Sequence, residues 1–346
     1  MLMTGRRTKH LAIGALATTL LFAAANVSYG FEGDALYARP GQFFTASDGA
    51  KLNFYCSGQG SPTVVFDAGE GDWSPAWAPV QPEVSKWTRT CSYDRAGAGF
   101  SVMGPLPTNS KRFAEELHSA LHNGGVDGPY ILVGHAYGGD NMRAFADLYM
   151  SEVAGMVLVD PDERDVETTH DLDEIWRGID ERNLGQLAFC RDAIAAGKEF
   201  PLTPPPDHPG WTCLDYSFRG IPDLRFSPEL NASILKIMTT KTAMYEALLS
   251  GVGQRAWENN FLRTHRQSLG SRPLRLISTM YHIPTTSTRP TAERIKFNQE
   301  RRVFQGNLLA LSANSKTVFA DTGAFVQFEK PDIIIEAIRD VYDQTK

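Results

Sequence analysis

Tyr130-Ile131-Leu132-Val133-Gly134-His135-Ala136-Tyr137-Gly138-Gly139 is the stretch that decides the architecture. Its apolar run ends in two glycines four positions apart, and Met142, Phe145 and Leu148 then recur at helical spacing. A buried strand therefore turns sharply into a helix. The residue at the centre of such a turn sits in a strained backbone conformation, so its neighbours two before and two after must lack side chains that would clash. Gly134 and Gly138 meet that requirement, and Ala136 stands at the apex.

Working outward, short apolar runs rich in β-branched residues alternate with helical stretches, the βαβ pattern of a mostly parallel sheet. Strands are expected at Gln42 to Ala46, Lys51 to Cys56, Thr63 to Asp67, Thr88 to Tyr93, Tyr130 to Gly134, Gly155 to Asp160, Leu274 to Ser278 and Lys316 to Ala320. The first two should pair as a hairpin across Ser47-Asp48-Gly49. Phe113, Leu117 and Leu121 predict an amphipathic helix over 111–122, closed by Gly124-Gly125. Ile333, Ile334, Ala337, Ile338 and Val341 place one face of a last helix on the sheet.

Residues 162–271 break this rhythm. They hold Trp176, Phe189, Trp211, Phe218, Met238, Met244, Tyr245, Trp257 and Phe261, with a proline-rich turn at 201–209. Such an insertion reads as a helical cap over the C-terminal sheet edge, where ligands bind in open α/β sheets. Most of these large side chains should form the cap's own core, and two or three should line a pocket. The core is expected from 31–161 and 272–346.

The 346 residues carry a formal charge of −6 with no low-complexity stretch. Arg6, Arg7 and Lys9 precede an apolar run from Leu11 to Ala25, and no acid occurs before Glu32, so 1–30 reads as a secretory signal peptide cleaved between about Ala25 and Gly30. The mature chain would then carry −9, a poor charge for binding nucleic acid. A secreted or periplasmic protein with no stable membrane insertion is expected. Four cysteines, Cys56, Cys91, Cys190 and Cys213, form an even set suited to disulfides there. No cysteine–histidine pattern or dinucleotide loop points to a metal or organic cofactor, and none is expected.

The turn around Ala136 has the strand–turn–helix setting of a nucleophile elbow, G-x-S-x-G, with alanine in place of the nucleophile. Phe66-Asp67-Ala68-Gly69-Glu70-Gly71 looks like an oxyanion loop after the third strand. Cys91-Ser92-Tyr93-Asp94-Arg95-Ala96-Gly97-Ala98-Gly99-Phe100-Ser101 looks like the turn after the fourth. On these motifs the chain resembles the α/β-hydrolase family, in particular its exported, capped esterase- and lactonase-like members. The resemblance covers about Leu52 to Pro161 and Pro273 to Val341. It implies a mostly parallel eight-stranded sheet flanked by helices, with the cap inserted after the sixth strand. The implied strand order sets Cys56 beside Cys91, and Cys190 with Cys213 would staple the cap.

The resemblance also implies a Ser-His-Asp site. In Asp321-Thr322-Gly323-Ala324-Phe325, Ala324 occupies the position of the histidine. Many relatives place the acid after the seventh strand, but Leu276 to His282 ends without one. Asp160, 24 residues beyond the apex at the end of the sixth strand, matches the alternative position, with Asp162 and Glu163 as fallbacks. His282 is the remaining histidine to check. The oxyanion donors by position are the backbone N–H groups of Tyr137 and Glu70. The Glu70 side chain has no reading at this level.

Two alanines inside motifs otherwise intact fit deliberate substitution better than drift. The implied activity is hydrolysis of a carboxylic ester or lactone, with the chain in an inactivated form. Two alternatives stay open: a natural non-catalytic binding protein on this fold, and an epoxide or haloalkane hydrolase whose aspartate nucleophile has been removed. The aromatic cap and modest charge favour a small, uncharged, moderately apolar substrate.

Overall fold

The computed structural model describes residues 30–162, 170–202, 212–218, 220–281 and 291–346. The segment before Gly30 expected to be a signal peptide, and Glu163, Trp211 and His282, lie outside them. Eight strands form one sheet: β1 (Gln42–Thr45), β2 (Lys51–Ser57), β3 (Thr63–Asp67), β4 (Thr90–Tyr93), β5 (Tyr130–His135), β6 (Val153–Val159), β7 (Gly270–Tyr281) and β8 (Ser312–Gly323). Their order is β1-β2-β4-β3-β5-β6-β7-β8, and β2 alone runs against the others. This is the α/β-hydrolase fold.

The helices are α1 (Gln81–Val84), α2 (Ser110–Asn123), α3 (Tyr137–Tyr149), α4 (His170–Ala195), α5 (Pro228–Thr240), α6 (Thr242–Gly253), α7 (Arg255–Thr264), α8 (Thr291–Gly306), α9 (Val326–Glu329) and α10 (Pro331–Asp343). Alternation along β5 sorts them onto two faces. Ile131 and Val133 pack with Phe66, Trp77 and α10's Ile334 and Ile338, whereas Tyr130 and Leu132 pack with Leu117 of α2 and Phe145 of α3. Both faces are covered, so β5 is buried along its whole length and carries no polar residue before His135.

Helix α2 begins where the Asn109 side chain accepts the Arg112 N–H at 3.0 Å, relieving one orphan donor of the first turn. It also buries Glu116, with no donor to either carboxylate oxygen among the described residues. Burial first, then the nearby negative charge of Asp48, pushes this carboxyl up to about 9, against the pull of Arg112; Glu115 adds to the rise. Above its ordinary value the unfolded chain has released this proton while the folded chain keeps it. Stability therefore falls as pH rises from about 5 to 9. Glu116→Gln should flatten that slope and raise stability at pH 8 by about 2 kcal/mol, measured by urea unfolding at pH 5 and pH 8.

The helices α4 to α7 lie between β6 and β7. Their apolar side chains share the sheet's core instead of closing one of their own. Phe218 packs edge-on against Trp73 at 4.7 Å and meets Phe226, in the same cluster as Phe66 and Val133. Phe261 and Leu262 of α7 join the opposite cluster, and Trp257 is 44% exposed. The chain before β1 is tied in as well: Asp34 accepts the Ser227 N–H at 2.7 Å at the start of α5.

Cys56 and Cys91 stand directly opposite on β2 and β4 and form a disulfide, and Cys190 of α4 is bonded to Cys213. The first spans 35 residues, so Cys56→Ser with Cys91→Ser should lower stability by about 3–4 kcal/mol, read from the urea midpoint. Among the described residues no helix is long and apolar enough to cross a membrane.

Candidate active site

The turn between β5 and α3 is as tight as its glycines predict. Ala136 has φ 45° and ψ −120°, a conformation that L-residues rarely adopt. A Cβ on Gly134 would stand 2.4 Å from the carbonyl oxygen of Gly138, and one on Gly138 would stand 2.4 Å from that of Asp67. Backbone packs on backbone here, so neither position admits a side chain. The Ala136 N–H donates to Val159 O at 3.0 Å, which fixes the apex against the end of β6.

The loop after β3 reaches the same point. A Cβ on Gly69 would lie 3.7 Å from that of Ala136 and 3.0 Å from His135 Nδ1. The loop is held from behind by Arg95, which follows β4. Its guanidinium donates to the carbonyl oxygens of Ala68 at 2.6 Å, Gly69 at 2.5 Å and Asp72 at 3.1 Å. It also pairs with the buried carboxylate of Asp67 at 2.5 Å, which accepts from Tyr93 Oη at 2.9 Å and Asn141 Nδ2 at 2.8 Å. In a trans peptide the C=O and N–H point opposite ways. With the Gly69 carbonyl turned to Arg95, the Glu70 N–H points away from it. Tyr137 opens α3, so its N–H has no partner within the helix.

The side chains of these two residues are joined on the far side of the turn. Glu70 pairs with Arg255 of α7, whose guanidinium lies 4.4 Å from the centre of the Tyr137 ring and donates to Glu258 at 3.1 Å. Glu258 Oε1 in turn accepts from Tyr137 Oη at 2.7 Å and from both N–H and Oγ of Ser110 at 2.6 Å. Burial, then the Glu258 charge, raises the Tyr137 phenol well above its ordinary value, so it stays a donor. A cavity of about 20 Å³, room for one water, lies behind Tyr137 against Arg95, Phe113 and Met244.

Ala324 follows β8, three strands from β5, yet its carbonyl oxygen lies 2.9 Å from His135 Nε2. The chain after β8 thus folds back over the sheet edge to meet the elbow. A carbonyl only accepts, so Nε2 carries the proton, and Nδ1 is left to accept from Gln327 Nε2 at 3.3 Å. His135 is thereby part of the scaffold that sets the two alanines near each other.

Asp160 sits just beyond β6 with φ 44° and is fully buried. Its Oδ1 accepts from Thr279 Oγ1 at 2.9 Å, from Gln305 Nε2 at 3.2 Å and from the Arg301 guanidinium of α8, with which it forms an ion pair. Arg301 also holds the carbonyl oxygens of Asp160 and Pro161, at 3.0 and 2.8 Å. Asp162 is buried nearby in the chain.

The sequence assigns no role to Arg95, Arg255, Glu258 or Arg301. Arg95 had a signal, since a lone arginine among small residues in the turn after β4 must place a large cation somewhere close. The pairs Glu70–Arg255, Tyr137–Glu258 and Asp160–Arg301 each join residues more than 120 positions apart and had none.

A family model described as alpha/beta hydrolase fold matches residues 62–201. Among curated proteins, the uncharacterized protein YqjL of Bacillus subtilis is 34% identical over 104 residues, 30% of this chain and 41% of that protein. The chain spans between 15% and 41% of the length of the curated relatives it matches. Three solved structures are similar in fold. An esterase from Thermogutta terrifontis has a TM-score of 0.58 at 20% identity, covering 88% of this chain and 99% of its own. The epoxide hydrolase CorEH has 0.61 at 16%, covering 88% and 99%. The enol-lactonase from Burkholderia xenovorans has 0.58 at 16%, covering 87% and 100%.

Proposed function

We propose that this α/β-hydrolase-fold chain is the disarmed form of an exported carboxylic ester or lactone hydrolase, with the nucleophile missing at Ala136 and the general base at Ala324. The family match and the esterase, epoxide hydrolase and lactonase neighbours support the superfamily. The carrying observation is the backbone of Ala136. Holding a non-glycine residue at φ 45° costs on the order of 1–3 kcal/mol, and a methyl group draws no chemical benefit from it. A hydroxyl there would stand clear of the sheet edge beside the loop at Gly69.

In the parent enzyme a serine Oγ at 136 attacks the substrate carbonyl and gives its proton to an imidazole at 324. That proton then leaves with the alcohol, and water hydrolyses the acyl-enzyme by the same route in reverse. The N–H groups of Tyr137 and Glu70 receive the developing oxyanion. Arg95 holds the Gly69–Glu70 peptide in the required sense. Asp160 is the acid of the triad, oriented by Thr279, Gln305 and Arg301. The insertion over 162–271, which carries α4 to α7, serves as the cap, and a small uncharged ester enters beneath it.

The nucleophile's identity is tested by two substitutions in an Ala324→His background. Ala136→Ser should give turnover of aryl esters or lactones and none of epoxides. Turnover of epoxides or haloalkanes with Ala136→Asp, and none with Ala136→Ser, would move the chain to the other branch of the fold.

A further inference from the structure

We propose that His118, His122 and Glu152 form a binding site for one zinc-class divalent cation that clamps α2 to the turn between α3 and β6. The two histidines are four apart on α2, so their imidazoles share one helix face. Glu152, immediately before β6, reaches between them: Oε1 lies 2.9 Å from His118 Nε2 and Oε2 lies 2.9 Å from His122 Nε2. All the donor atoms fall within 4.8 Å of one another. Two imidazole nitrogens and a carboxylate are the donor set that suits zinc better than calcium or magnesium.

The surroundings prepare the ligands. His118 is stacked on Tyr149 at 3.6 Å and 3°, which fixes its ring plane. His122 Nδ1 lies 3.1 Å from the Asp127 carboxylate. Without an ion, the Glu152 carboxylate accepts from both Nε2–H groups. On binding, each Nε2 presents its lone pair and the imidazole proton resides on Nδ1, where Asp127 accepts that of His122. Tetrahedral zinc at ordinary bond lengths separates its donors by about 3.4 Å, so each N···O pair opens by roughly 0.5 Å. Side-chain exposures of 20%, 27% and 40% for His118, Glu152 and His122 leave a path for the ion and for solvent as its fourth ligand.

This site is not the catalytic one. Glu152 precedes β6 and Asp160 follows it, so the two lie at opposite edges of the sheet, roughly 25 Å apart along the strand. The role is structural: the ion crosslinks a helix of the second face to the start of a central strand. It stands independently of the hydrolase reading.

Tag-free protein titrated with zinc chloride by calorimetry should bind one zinc per chain more tightly than about 0.1 mM. His122→Asn and Glu152→Gln should each weaken that binding about tenfold or more. Binding weaker than about 0.1 mM, or affinity unchanged in both variants, overturns the proposal. Should a variant fail to fold, carbethoxylation of the unaltered protein decides. Zinc should protect His118 and His122 while leaving the exposed His265 as reactive as before, and equal modification with and without zinc contradicts the site.

Discussion

Ala136→Ser combined with Ala324→His is expected to raise hydrolysis of an aryl ester about 10⁴- to 10⁶-fold above that of the present chain, while either substitution alone gives less than about tenfold. The asymmetry follows from the chemistry. A serine hydroxyl without a base is a poor nucleophile at neutral pH, and an imidazole without the hydroxyl has nothing to deprotonate except water. The two residues act as a unit because one proton passes between them. The geometry to receive them is in place: the apex backbone has its positive φ in a turn where Gly134 and Gly138 leave no room for a side chain, and the Ala324 carbonyl is anchored to His135. Steady-state rates for the four combinations of residues at 136 and 324 check this. Additive small gains, or activity in the Ala136→Ser chain alone, would indicate a base elsewhere.

Arg95→Ala is expected to destabilise the fold by about 3–5 kcal/mol, the largest loss from any single side chain considered. The substitution leaves the carboxylate of Asp67 in a fully buried position without its cation, and frees three carbonyl oxygens of the loop after β3. The pair itself contributes much less than that figure, because an ion pair this deep gives back most of its attraction in desolvation. Arg95→Met with Asp67→Asn should therefore be less damaging than Arg95→Ala alone. Urea unfolding of these two variants and the unaltered chain separates these effects. In the restored background the same double variant should lose turnover, since nothing then fixes the direction of the Glu70 N–H.

How much of the fold and site is legible in the sequence depends on whether a feature is local. β5 and the elbow were plain, because buried strands leave apolar runs and a turn that packs backbone on backbone admits only glycine at two places. The pairing of Cys56 with Cys91 followed from the strand order that the resemblance supplied, and the sheet has that order. Strand ends were less readable. β8 runs from Ser312 to Gly323, longer than its apolar centre, because an edge strand keeps one side open and tolerates Asn314, Lys316 and Asp321. β4 starts at Thr90, two residues later than its composition suggests. The Glu70 side chain had no reading because its partner, Arg255, lies 185 residues away on a helix whose position depends on the whole insertion. The same holds for Asp160. Its place after β6 was visible, but the Arg301 that neutralises it comes from α8, where one arginine among several exposed charges carries no mark.

That Ala136 marks the point of covalent chemistry is tested most directly by an aryl phosphonate, whose phosphorus forms a bond to an activated serine oxygen as the aryloxide departs. After reaction, mass spectrometry of the Ala136→Ser, Ala324→His protein should show one phosphonyl group on the peptide carrying residue 136, and the present chain should show none. A folded double variant that takes up no phosphonate, or takes it up at another residue, would contradict the account.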